Sequence, residues 1–267
     1  MALDPLRATD MIEKRYIDYI KTTFAFKDED LQNQLIGELK DKAKLRKGPI
    51  LEATPPFENG ASLRQLIQES VLSSEFEKLN TDELPLDRLL YRHQEIAIRK
   101  IVKDGRNLIV ATGTGSGKTE TFLIPILNHL FRQKEQGQLG PGVRTLLLYP
   151  MNALANDQLK RLRRLLKNYP DITFGSYTGE TLESESRAIE QFRRQNPKEP
   201  LLQNELLSRE RMKKTPPHIL LTNYAMLEFL LLRPDDNVFF DGEYALNWKF
   251  IVVDEVHTYS GAKGIEF

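Results

Sequence analysis

Cysteine is absent from the 267 residues, which excludes disulfides, thiolate-bound zinc and a thiol nucleophile. Histidine is scarce: four scattered copies form no metal-ligand spacing. Net charge is missing too. Lys plus Arg and Asp plus Glu each number 38, so no bulk basic field attracts nucleic acid, and any such surface must be local. No uninterrupted apolar run approaches the roughly 18 residues of a membrane span. The first stretch, with Asp4, Arg7, Asp10, Glu13, Lys14 and Arg15, lacks the apolar centre of a signal peptide. A reducing cytoplasm, with no membrane partner, is the expected setting.

What is present is core material. A hydrophobic share of 40% with 9% aromatic residues suffices at this length for one large α/β domain plus an extension. Residues 1–85 read as a helical, highly charged extension. Asp10 with Glu13 suggests a capping box, and Ile12, Tyr16, Ile20 and Phe24 recur at helical spacing. A second helix is expected over 29–44. Gly48-Pro49 and Pro55-Pro56 bracket an extended stretch, and Ser62 with Gln65 caps a short helix through Leu63, Leu66, Ile67 and Val71. Packing against the core is the plain reading of this segment, and a regulatory or DNA-clamping role is the functional one.

Residues 86–267 change texture. Short apolar runs at 108–111, 145–149, 172–177, 218–222 and 250–253 alternate with helical patterns at 92–102, 119–131 and 154–166. That alternation predicts a parallel sheet covered by helices on both faces. Pro125 should kink its helix. The stretch from 182 to 216, rich in Arg, Glu and Gln, with Pro197, Pro200 and Pro216 inside it and Pro217 directly after, reads as a surface insertion.

Two strand-end motifs carry the chemistry. Thr112, Gly113, Thr114, Gly115, Ser116, Gly117, Lys118 and Thr119 follow the run Leu108-Ile109-Val110. Glycines let backbone N–H groups turn inward around a phosphate chain, and the following helix N-terminus adds positive potential. Lys118 is suited to the β- and γ-phosphates of ATP, and the Thr119 hydroxyl to Mg2+. Thr112 stands where the strict pattern has glycine, but the phosphate- and metal-contacting positions are all filled. Asp254 and Glu255 end the apolar run Ile251-Val252-Val253. With a phosphate loop in the same sheet, Asp254 is assigned to Mg2+, directly or through water, and Glu255 to positioning and deprotonating the attacking water. The alternative is a helix cap. His257 is either a solvent-facing residue or a relay of nucleotide state.

Gly115-Ser116-Gly117-Lys118-Thr119 with Asp254-Glu255-Val256-His257 resembles the superfamily 2 helicases of DEAD/DEAH type. Leu90-Tyr91-Arg92-His93-Gln94 resembles that family's glutamine motif, which implies that Gln94 reads the adenine edge, with Tyr91 or Arg92 stacking on the base. The run Tyr149-Pro150-Met151-Asn152-Ala153-Leu154-Ala155-Asn156-Asp157-Gln158 resembles motif Ia, Tyr177-Thr178-Gly179-Glu180 the turn after the next strand, and Thr222-Asn223-Tyr224 motif Ib. The resemblance implies a RecA-like P-loop NTPase fold, with Pro150, Met151, Asn152, Gly179, Thr222 and Asn223 on a nucleic-acid backbone. Taken singly, Thr222 and Asn223 are also what a helix cap needs. The wording is similar to large bacterial DNA-repair and phage-defence helicases, so defence or repair proteins are implied partners, and DNA is favoured over RNA.

Such helicases join two RecA-like lobes, and ten residues follow His257. The expectation is therefore one ATP-binding lobe of a nucleic-acid-dependent ATPase, weak or inactive alone and lacking the second lobe's arginine finger. A duplex translocase subunit of a defence or restriction system and a non-enzymatic nucleotide-binding adaptor are the rival readings. Gln94 and the Asp254-Glu255 pair argue against a small-molecule kinase.

Overall fold

The computed structural model describes residues 4–41, 45, 55–79, 81–113, 115–259 and 261. Two compact units divide after Pro56. The smaller, Met1–Pro56, contains α1 (Pro5–Thr23) and α2 (Glu29–Lys40). The α1 cap is Asp4, whose carboxylate accepts from Leu6 N and Arg7 N ahead of Pro5 at the first position. Asp10 thus lies inside the helix rather than capping it, because Asp4-Pro5 already supplies an acceptor and a preset φ one and a half turns earlier. Asp28 caps α2, which stops at Lys40 rather than running to 44; residues 42–44 and Gly48-Pro49 lie outside the described residues.

The larger unit starts at Phe57. Leu63, Leu66, Val71, Leu72, Phe76, Leu79 and Leu84, from the span that the sequence groups with the extension, belong to its main core. Strand β1 (Asn59–Ser62) pairs antiparallel with β2 (Leu89–Tyr91). Helix α3 (Leu63–Gln68) opens on the expected capping box: Gln65 N donates to Ser62 Oγ at 3.2 Å and Ser62 N to Gln65 Oε1 at 2.8 Å. Helix α4 (Arg92–Val102) follows, and then α5 (Lys118–Glu135), which continues through Pro125.

Five parallel strands form the central sheet: β3 (Thr145–Tyr149), β4 (Phe174–Ser176), β5 (Glu205–Leu206), β6 (Ile219–Asn223) and β7 (Phe250–Val253), in the order β5-β4-β6-β3-β7. Every β3 residue is buried, as a strand covered on both faces requires. Its side chains alternate: Leu147 and Tyr149, with Ile219 and Leu221 of β6, join Ile124 and Leu127 of α5 and Leu162 of α6 (Asn152–Leu166). Leu146 and Leu220 face the other way, onto Met226 and Leu230 of α9, the helix at Tyr224–Leu232. Among the described residues no helix is long and apolar enough to cross a membrane.

Two expectations fail here. Residues 108–111 form no strand, Ile109 is 93% exposed, and β7 is the sheet edge with Ile251 70% exposed. An apolar run becomes a strand only where a neighbouring backbone completes its hydrogen bonds, and none of the described residues does so for this one. Residues 182–216 are not a mere surface insertion. They supply α7 (Glu185–Gln195), strand β5 and α8 (Arg209–Lys214), and they bury Asn204, Glu205, Ser208 and Met212. The charge that suggests solvent instead meets buried partners: Glu205 pairs with Arg163, 42 positions upstream.

A second ionic cluster ties the 310 turn at Ser74–Glu77 to α5. Lys134 reaches Glu75 at 3.3 Å, Asp171 at 2.8 Å and the Tyr169 hydroxyl at 2.9 Å, and Glu75 also pairs with Lys78 and Tyr169. Burial by itself would raise the pKa of Glu75, but the hydrogen bonds from Lys78, Tyr169 and Lys134 carry it down to about 2. A depressed carboxylate contributes stability above its unfolded value of about 4.3 and loses it as pH falls toward the folded value. Stability measured by urea titration should therefore drop between about pH 4 and pH 2, and Glu75→Gln should flatten that drop. An equally steep drop in the variant would assign the acid sensitivity elsewhere.

Candidate nucleotide site and adjoining polar surface

The glycine-rich turn ends where α5 begins. Gly117 is the cap residue with φ +70°, and Gly115 has φ +78°; both lie in the left-handed region, where a side chain is strained. Lys118 folds its ammonium back across the turn and donates to the carbonyls of Thr112 at 3.0 Å and Gly113 at 3.1 Å. Thr112 Oγ1 and Ser116 Oγ lie 2.6 Å apart, with Ser116 fully buried. The Thr119 hydroxyl makes no hydrogen bond to the described residues, and Thr114 lies outside them.

Gln94 is placed differently from the expectation. It is 3% exposed, its Oε1 accepts from Tyr91 N at 2.8 Å, and its Nε2 donates to Gly117 O at 2.8 Å. One N–H and one oxygen lone pair of the amide are thus engaged internally, because Gln94 sits at the third position of α4 and closes that helix's first turn. It fastens α4 to the end of the phosphate loop. His93 helps, with Nε2 at 3.0 Å from Ser116 O. Tyr91 stacks beside His93 at 5.8 Å, and Phe57 packs on both rings at 5.1 and 5.5 Å. The sequence leaves Phe57 unnoticed, since a single aromatic residue after two prolines carries no motif.

Asp254 and Glu255 stand at the end of β7. Asp254 N still donates to Leu148 O at 3.0 Å, so the ladder with β3 places this acid beside the end of that strand. Among the described residues Asp254 has no cationic partner, and its Oδ1 accepts only from Glu255 N at 2.9 Å. Glu255 adopts φ +51°, one of two non-glycine residues with positive φ among those described. Such strain is concentrated at functional sites. Its carboxylate lies 3.3 Å from Nδ1 of the largely exposed His257. Tyr149, at the end of β3, is buried with its hydroxyl unpaired among the described residues. Burial, and then the charge of Asp254, push that phenol's pKa up, against the opposing charge of Arg161. Tyr149 opens the motif Ia run, but its place in the alternation of β3 marks it as core.

A polar cluster lies at neighbouring strand ends. Asn223 Nδ2 donates to Asn152 Oδ1 at 2.6 Å, and Asn152 Nδ2 to Glu180 Oε1 at 2.9 Å. The end of β6 and the segments after β3 and β4 are so joined, with Met151 and Gly179 exposed and Pro150 half-buried alongside. Asn223 also caps α9, accepting from Met226 N at 2.8 Å. Thr222 departs from the expected surface role. It is buried, and its hydroxyl donates to Tyr177 O at 2.7 Å, which holds the end of β4 to β6. Its alternation within β6 turns it inward.

The model for the family described as DEAD/DEAH box helicase matches residues 91–266. The chain is 29% identical to Druantia protein DruE of Escherichia coli (strain UMEA 4076-1), over 93% of its own length and 18% of that protein. It is 32% identical to the ATP-dependent helicase Lhr-Core of Methanothermobacter thermautotrophicus, over 64% of this chain and 18% of that one. Its fold is similar to the crystal structure of the DUF1998 helicase MrfA bound to DNA, with TM-score 0.52, 26% identity, and coverage of 78% of this chain and 22% of MrfA. The chain thus spans about a fifth of the length of these relatives.

Proposed function

Because the chain belongs to the DEAD/DEAH box helicase family, we propose that the larger unit, from Phe57 onward, forms the ATP-binding lobe of a motor that moves on or unwinds nucleic acid, with the smaller unit, Met1–Pro56, as a helical accessory segment. The observation that carries this reading is the phosphate loop itself: a left-handed Gly117 opening α5, with Lys118 held across the turn by two loop carbonyls. ATP phosphates replace those carbonyls as partners of the ammonium, and the first N–H groups of α5 face the same charge.

Thr119 and Asp254 are suited to Mg2+ because neither side chain is committed to a described cation, and a magnesium ion takes few protein oxygens besides phosphate and water. When bound, the ion neutralises charge developing on the transferred phosphoryl group. Glu255 orients the attacking water and takes its proton, and His257, paired with it, reports whether nucleotide is present. Phe57, Tyr91 and His93 offer aromatic surface for the base.

The Asn152, Glu180 and Asn223 cluster, with Met151 and Gly179, is the nucleic-acid face. Amides and a helix start bind phosphates without reading sequence. Glu180 aims the Asn152 amide rather than touching the strand, since a carboxylate facing phosphate is adverse. DNA is the preferred substrate, on the similarity to a helicase whose crystal structure is a DNA complex. The alternative substrate is RNA. The test is fluorescence anisotropy of a labelled oligothymidylate with the intact protein. Asn152→Ala should weaken binding about fivefold, the equivalent of one hydrogen bond, and leave the affinity for ATP unchanged. Wild-type protein that binds neither ATP nor oligonucleotide would end this reading.

A further inference from the structure

The first turn of α5 contains an acid that phosphate binding does not call for. Glu120 directly follows Lys118 and Thr119 and is 6% exposed. A carboxylate buried beside a phosphate cradle is unfavourable unless it is neutralised. Two guanidinium groups do so from opposite parts of the chain: Arg88, ahead of β2, donates to Oε1 at 3.0 Å, and Arg161 of α6 donates to the same oxygen at 2.9 Å. The other oxygen, Oε2, has no hydrogen-bond partner among the described residues. It lies 3.1 Å from the point where a Cβ on Gly117 would stand, and Gln94 Nε2 lies 2.4 Å from that point. Gly117 is therefore enclosed by Glu120 and by Gln94, which also holds its carbonyl.

The geometry points to Glu120 as a positioning residue of the phosphate loop and to Arg161 as the link through which α6 sets it; this rests on reading that loop as the ATP site. Helix α6 is a continuous rod of 15 residues. Its first residue, Asn152, belongs to the polar cluster at the strand ends, and Arg161 lies more than two turns along it. A shift of α6 when a strand engages Asn152 moves the Arg161 guanidinium, changes the compensation of Glu120, and so moves the wall of the Gly117 turn. Arg88 belongs to a different segment and keeps half of the compensation in either state.

The experiment measures the affinity of the intact protein for a fluorescent ATP analogue with and without saturating oligothymidylate. Coupling between two sites is typically fivefold or more, and the wild type should show it. Arg161→Met and Glu120→Gln should each bring the ratio to about one, while the double variant does no more than either single, as expected of one shared interaction. Arg161→Lys, which keeps the charge, should restore part of it. Melting temperature serves as a control for packing. Coupling that persists in both single variants, a double variant with additive losses, or a loss that merely tracks melting temperature would overturn the proposal. A wild type that binds both ligands without coupling would overturn it too, whereas a wild type that fails to bind ATP would remove the reading on which it rests.

Discussion

Lys118→Ala in the intact protein is expected to abolish ATP turnover, and Glu255→Gln to leave ATP bound but unhydrolysed. The two variants separate binding from chemistry. Lys118 is the only side chain of the turn with a full positive charge, and its ammonium already spans the loop between Thr112 O and Gly113 O. Donors aimed at charge that develops in the transition state are worth about 10²- to 10³-fold in rate each, and this one also bears on ground-state phosphate, so affinity should fall as well. Glu255 has a different task. Its left-handed backbone sets the carboxylate just past the end of β7, beside His257 and next to Asp254. A general base contributes about 10²- to 10⁴-fold, and the amide of Gln retains the shape while losing the proton acceptor. Steady-state phosphate release paired with nucleotide retention on rapid filtration would separate the two effects. Near-normal turnover in both variants would sink the assignment of the site.

The second large effect concerns stability. Glu205→Ala should cost about 3 to 5 kcal/mol, the usual consequence of leaving one member of a buried ion pair alone. Arg163 and Glu205 are both almost fully buried and pair directly. Arg163 further reaches Glu199 at 3.0 Å and Pro200 O at 2.7 Å, and its guanidinium lies 4.5 Å from the centre of the Phe192 ring. Removing Glu205 leaves that guanidinium committed to a low-dielectric position with a half-exposed acid as its remaining carboxylate. At about 2 to 4 °C per kcal/mol for a domain of this size, melting should fall by roughly 10 °C. The paired change Arg163→Met with Glu205→Leu should recover most of the loss, since no charge is then buried. A single Glu205→Ala variant within 1 kcal/mol of wild type, measured by urea titration, would show that β5 does not contribute to the fold.

Much of the site's chemistry is legible because it is local. Ser62 and Gln65 announce their capping box by spacing alone, and β3 and β7 begin and end where their apolar runs do. The phosphate loop, the paired acids and the polar strand ends follow in order along the chain. Other features depend on partners far away in sequence. Gln94 looks like a base reader in sequence, and only the fold shows its amide also closing α4 and holding Gly117. Thr222 looks like a surface hydroxyl until β6 turns it toward Tyr177. Residues 182–216 look solvated until Arg163 takes up Glu205.

By itself the sequence determined the kind of chemistry: a glycine turn with its lysine and hydroxyl, and two consecutive acids after an apolar strand. These are matters of residue type and short spacing, which the backbone reads within a turn or two. Only the tertiary structure decided which polar groups remain available for ligands and which are consumed by the fold. Burial makes every unpaired polar atom costly, so Gln94, Thr222, Glu120 and Glu205 are claimed by whichever backbone carbonyl or guanidinium the sheet and its helices bring within reach.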